Sequence, residues 1–140
     1  MRPLMMNASE YDAPALLVDW RWRVPPSMTP LFISALGDWV FGAPDGSLWA
    51  LSMLEGDLFQ VAGSADEYNQ LNKSAQWLDE TFAASWLAIA DRHGLVPSND
   101  ECLGWHVHPR IGGRFEVANL KLCPMRVYQS LMGQLHQSLG

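Results

Sequence analysis

The run Leu48 to Leu54 constrains this chain more than any other. It is apolar on both alternations of an extended strand, with Leu48, Ala50 and Leu54 on one side and Trp49, Leu51 and Met53 on the other. Successive side chains of a strand point to opposite faces, so such a run needs cover on both. Turn residues bound it: Pro44-Asp45-Gly46 before and Glu55-Gly56-Asp57 after, with Gly46 and Gly56 able to take the positive φ that tight hairpins require. Together with β-rich runs at 38–42 and 57–62, the stretch 47–54 reads as the middle of a three-stranded antiparallel meander. Helices must pack on it.

Two helical segments follow. Ser64 with Glu67 three residues on is a capping box that opens a short helix through about Asn72. Ser74 caps a longer helix, in which Leu78, Phe82, Ser85, Trp86, Ile89 and His93 share one stripe and Gly94 sits where a helix ends. Beyond Pro97 the pattern predicts strands near 102–107 and 114–122 around an irregular loop from Pro109 to Gly113. Pro124 then suits the first turn of a final helix, where Val127, Leu131, Leu135 and Leu139 recur every four residues and close the core. Upstream, APALLVDWRWRVPP reads as a helix end or short strand running into a loop, with Trp20 and Trp22 packed against the domain edge. Strands dominate the middle and helices flank them without βαβ alternation. The fold class is therefore α+β, a largely antiparallel sheet (central meander plus C-terminal strands) packed by α-helices.

At 140 residues the chain is the size of one domain, 1–140, and 49% apolar against 17% charged residues is enough to build a core. MRPLMMNASEYD lacks the apolar run of a signal peptide, and no stretch approaches 18 apolar residues, so a cytoplasmic protein with no membrane partner is expected. Cys102 and Cys123 show no CxxC spacing and fit a reduced pair. A net charge of −6 opposes phosphate binding and argues against nucleic acid as a direct ligand. The charge is uneven. From Glu55 to Glu80 six acids (Glu55, Asp57, Asp66, Glu67, Asp79, Glu80) stand against Lys73, a balance of −5, whereas from Cys102 onward Arg110, Arg114, Lys121 and Arg126 stand against Glu116, a balance of +3.

Chemistry has one tempting locus, Trp105-His106-Val107-His108, since residues two apart on a strand point the same way and two imidazoles can share a metal. Further ligands are missing: His93 and His136 fall on helices, and no HExxH or carboxylate triad accompanies the pair. Gly112-Gly113 and the turn at Gly42 to Gly46 are not phosphate cradles, and no G-x-S-x-G elbow presents a nucleophile. No catalytic residue, metal site or cofactor is therefore assigned, and the chain is read as a non-enzymatic binding protein. If Trp20, Trp22 or Trp105 is exposed, an aromatic hot spot for a partner follows.

From about Leu36 to the end the chain resembles the C-terminal domain of bacterial type VI secretion immunity proteins, the group that carries a GAD-like N-terminal domain and neutralises DNase effectors. The matching features are GDWVFGAPDGSLWALSMLEGDLFQVAGSADEY, the C-x-G-x-x-x-x-P-x-x-G-G arrangement of Cys102, Gly104, Pro109, Gly112 and Gly113, then Asn119, and the closing Leu131-Met132-Gly133-Gln134-Leu135-His136. The resemblance implies a protein that binds a secreted toxin, such as a nuclease, in the producer's own cytoplasm and occludes its active site. Residues 1–35 are too few for a complete GAD-like domain, so a shortened N-terminal region is expected before an immunity-protein-like domain at 36–140. The acidic residues Glu55, Asp57, Asp66, Glu67, Asp79 and Glu80 are then candidates to fill a basic cleft. Two other readings stay open: a general interaction module without a toxin, and a small metal-binding protein or enzyme using His106 and His108.

Overall fold

A computed structural model describes residues 2–140. Its main sheet has five antiparallel strands in sequence order: β1 (Met5–Asn7), β2 (Thr29–Ser34), β3 (Trp39–Gly42), β4 (Leu48–Leu51) and β5 (Leu58–Ala62). The meander expected from the turn residues is β3-β4-β5. Its first turn closes with Ala43 N–H donating to Ser47 O at 2.8 Å and Gly46 at φ +89°; its second turns at Gly56, φ +73°. The middle strand is shorter than its apolar run, because Ser52 to Leu54 already belong to the turn.

Two strands before the meander extend the sheet, and the sequence reading did not foresee them. Pro30 lies in β2 at a register shift between Pro30 and Phe32, a place where a missing N–H is tolerated. Trp20 is not at an edge. It lies fully buried as the last residue of a 3-10 turn (Val18–Trp20) that follows the short helix α1 (Ala13–Leu16), while Trp22 is half-buried and stacks on it at 5.8 Å.

Both faces of the meander are covered. Trp39, Phe41 and Leu51 face a core shared with Trp20 and with the final helix, and Val40, Leu48 and Ala50 face a second core with Tyr68 and Phe82. Each fully buried large apolar side chain contributes on the order of 2–3 kcal/mol. Tyr68 comes from α2 (Ala65–Leu71), which Ser64 caps as expected by accepting the Glu67 N–H at 3.1 Å. Phe82 ends α3 (Ala75–Phe82).

The long helix predicted from Ser74 to His93 is two helices. Ala83 adopts a left-handed conformation, φ +55°, that ends α3, and α4 (Ser85–Arg92) follows, its Ser85 N–H donating to the Asp79 carboxylate at 2.9 Å. The break has a packing cause: Phe82 belongs to the core under the main sheet, whereas Leu87 and Ala90 cover a third core over a second sheet. One straight helix cannot serve both.

That second sheet pairs β6 (Glu101–Trp105) with β7 (Leu120–Pro124), antiparallel. The predicted strand at 114–122 is corrected accordingly: pairing begins only at Leu120, and residues 106–119 form a built loop with 3-10 turns at Pro109–Ile111 and Val117–Asn119. Cys102 and Cys123 are direct cross-strand neighbours with free, buried thiols.

The last helix, α5 (Met125–Leu139), starts where expected but turns a different face inward. Val127, Leu131 and Leu139 are exposed; the buried face is Met125, Tyr128, Gln129, Met132, Gly133 and His136. This stripe has ideal helical spacing, disguised by its Gln, Gly and His. Gln129 accounts for its place: it accepts from Trp39 Nε1 at 2.8 Å and donates to Gly37 O at 2.7 Å, while its own carbonyl accepts from Trp20 Nε1 at 2.9 Å.

Candidate partner-binding surface

The two histidines singled out in the sequence do not converge. β6 ends at Trp105, so strand alternation does not carry through to His108. His106 is exposed, and its backbone N–H donates to Asn119 O at 2.7 Å. His108 is buried and meets His136 instead, ring centroids 5.2 Å apart. Both bring Nε2 to the Met53 carbonyl, at 3.1 Å from His108 and 2.7 Å from His136, occupying the two acceptor positions of one oxygen. Nδ1 of His108 accepts the Arg110 N–H at 3.1 Å, which fixes the neutral Nε2–H tautomer. Burial holds both imidazoles below their ordinary pKa. Among the described residues no group of three or more His, Cys, Asp or Glu is arranged to hold a metal. The pair is a clamp on a turn.

What it clamps is the β4–β5 connection. Met53 N–H donates to Asp38 Oδ1 at 2.8 Å, and burial raises the Asp38 carboxyl pKa to about 7 despite that bond. Gly56 lies so close to His136 that a Cβ there would come within 2.5 Å of the ring. Arg110 Nη1 donates to Glu55 O at 3.2 Å. Glu55 and Asp57 are therefore displayed on a turn held at four points.

All six acidic candidates are exposed, yet the fold does not gather them. Asp66 and Glu67 open α2 beyond the other end of β5, five residues or about 16 Å of strand from the Glu55–Asp57 turn. Asp79 and Glu80 lie on α3, which packs edge-on against α2 through Trp77 and Tyr68 at 5.9 Å. Three of the six also serve locally. Glu67 accepts the Gly63 N–H at 3.0 Å, Asp79 caps α4, and Glu80 accepts from Gln76 at 2.9 Å. None is in an ion pair; among the described residues the one salt bridge is Arg114–Glu116 at 3.6 Å.

Exposed apolar groups form a second class of surface. The loop 106–119 displays Val107, Ile111 and Phe115. Val127 and Leu131 do the same on the outer face of α5 beside Val18, around a shallow cavity of about 360 Å³. A further cavity of about 460 Å³ is walled by Leu17, Val24, Met28 and Phe41 with Arg21 among its lining residues. Sequence reasoning missed all three, because apolar residues in a sequence read as core. Trp105, half-buried, is in edge contact with Trp86 and Phe115 at 5.3 and 5.5 Å.

The spaced residues that run from Cys102 to Asn119 are explained by this architecture. Cys102 is buried, and Gly104 leaves room for Tyr128, whose ring would lie 2.6 Å from an added Cβ. Pro109 opens a 3-10 turn, Gly112 takes φ +101°, and a Cβ on Gly113 would overlap the Val107 carbonyl. Asn119 closes the loop: Nδ2 donates to Val107 O at 2.8 Å and Arg114 O at 2.9 Å, and Oδ1 accepts the Val107 N–H at 2.9 Å. These residues build a platform.

No helix among the described residues is long and apolar enough to cross a membrane. No curated protein matches the chain. The profile of the family described as T6SS immunity protein Tdi1, C-terminal, matches residues 62–136, which runs from the end of β5 through α2, α3, α4, the second sheet and its loop to His136 of the clamp. Spanning more than half of the sequence, this match shows that the chain belongs to the family of the C-terminal domain of the type VI secretion immunity protein Tdi1.

Proposed function

We propose that the protein protects the cell that makes it by binding a toxin delivered by a type VI secretion system and covering the toxin's active site, acting in the cytoplasm without catalysis of its own. Family membership supports the immunity role. The nuclease identity of the toxin is the finer part of the proposal, and one observation carries it: six carboxylates exposed on two platforms, none engaged by a cation, on a chain of net charge −6. A cleft that cleaves nucleic acid is positively charged, and an acidic surface both accelerates encounter with it and competes with the phosphate backbone.

The direct test is to express the neighbouring gene's product alone in a bacterium and ask whether this protein relieves toxicity and co-purifies with it. Absence of both toxicity and complex would leave a general interaction module. Reversing Asp66, Glu67, Asp79 and Glu80 to Lys is expected to slow association tenfold or more and to weaken its salt dependence. An unchanged association rate would remove the α2 and α3 carboxylates from the contact.

A further inference from the structure

We propose that the loop His106–Glu116 is the apolar centre of the toxin-binding surface, and that it seats in an apolar pocket rimmed by basic side chains on the toxin; this rests on the immunity reading above. Three large side chains within nine residues are about half exposed, Val107 at 46%, Ile111 at 56% and Phe115 at 56%. The fold gains little from Val107 and Ile111, where a polar residue would meet water more cheaply. Nor is the loop slack. Asn119 ties it at three hydrogen bonds, His108 anchors it to Met53 O, and Phe115 stands edge-on to Trp105. A segment already held in one shape loses little freedom on binding, which is where affinity is gained.

Position and charge name the partner's chemistry. Arg110 joins the loop to the acidic turn through its bond to Glu55 O, so Ile111 and its neighbours adjoin Glu55 and Asp57. Arg114 is matched by Glu116 at 3.6 Å, which leaves two carboxylates against the Arg110 guanidinium. An apolar centre with a net acidic flank is the arrangement of an interface whose hot spot is shielded by a charged rim, and it complements a cationic surface. The apolar face of α5 has a different charge pattern: Val127 and Leu131 stand beside Arg126, and the one carboxylate there, Asp19, already accepts from Ser130 Oγ. It serves as the comparison.

The test measures affinity for the purified neighbouring-gene product. Val107→Ser/Ile111→Ser is expected to weaken binding about a hundredfold, mainly through faster dissociation, with the thermal midpoint of the free protein little changed because neither side chain belongs to a core cluster. Val127→Ser/Leu131→Ser is expected to stay within threefold of the parent. Hydroxyl-radical labelling of Phe115 in the unmodified complex needs no variant and is expected to fall at least fivefold on binding. Retained affinity in the loop variant, undiminished labelling of Phe115, or loss of binding in the α5 variant alone would overturn the proposal while leaving the immunity reading intact. Failure of the unmodified protein to bind would overturn both.

Discussion

His108 and His136 approach edge to face, ring centroids 5.2 Å apart, and share the Met53 carbonyl oxygen, while Asp38 takes the N–H of the same residue. Three titratable groups thus hold one residue of the β4–β5 turn, and they respond to pH in opposite senses.

Asp38 ionises near 3.8 in an unfolded chain and at about 7 in the fold, so the folded state binds the extra proton between those values. Stability from this group is full below the lower pH and is lost as pH rises to the upper one. For the two histidines the folded pKa lies below 6.5. Their contribution is full above about 6.5 and declines as pH falls beneath it, because the unfolded chain takes up the proton first. Asp38→Asn keeps an acceptor for Met53 N–H and abolishes the ionisation. Relative to the parent, its unfolding free energy is expected to rise from pH 4 to pH 7, gaining on the order of 4 kcal/mol, and then to level off. Urea denaturation across pH 4–8 checks this; a difference constant with pH would mean that Asp38 is not a buried acid.

Gln129 is the interior's main polar junction. Replacing it by Leu is expected to destabilise the protein by about 3 kcal/mol, since Trp39 Nε1–H and Gly37 O lose their partners in a closed core. Denaturant midpoints measure the loss directly. A cost under about 1 kcal/mol would mean that water reaches both groups.

What was legible in the sequence was what local chemistry decides. Gly46 and Gly56 located the hairpins because few other residues take their positive φ readily, and Ser64 located α2 because its hydroxyl caps it. Where a tertiary demand won, the pattern misled. The stripe from Leu78 to His93 is continuous, but Phe82 and Leu87 belong to different cores and Ala83 absorbs the turn. In α5, Val127 and Leu131 outrank Gln129, Gly133 and His136 in hydrophobicity, yet the latter three bear the contacts with Trp39, the Asp19 backbone and Met53. For the site, the exposure of the six acids followed from their charge, whereas their division between two platforms depends on β5 lying between them. The apolar loop gave no local sign, because Ile111 and Phe115 look like core residues until Asn119 is seen holding the chain that carries them outward.

Gly133 offers a test in which helix propensity and packing predict opposite signs. Ala in place of Gly inside a helix normally stabilises by about 1 kcal/mol. Here α5 crosses the Val18–Trp20 turn so closely that a Cβ would lie 2.5 Å from Asp19 O and 2.9 Å from Asp19 C, contacts with backbone that cannot rotate aside. The same crossing carries the Ser130–Asp19 hydrogen bond and the seating of Trp20 on the Gln129 carbonyl, so displacing the helix strains both. Gly133→Ala is therefore expected to lower stability by about 1–3 kcal/mol, a reversal of the usual effect. Thermal and urea unfolding of the variant decide between the two, and a stabilised protein would show that α5 does not pack this closely on the N-terminal segment.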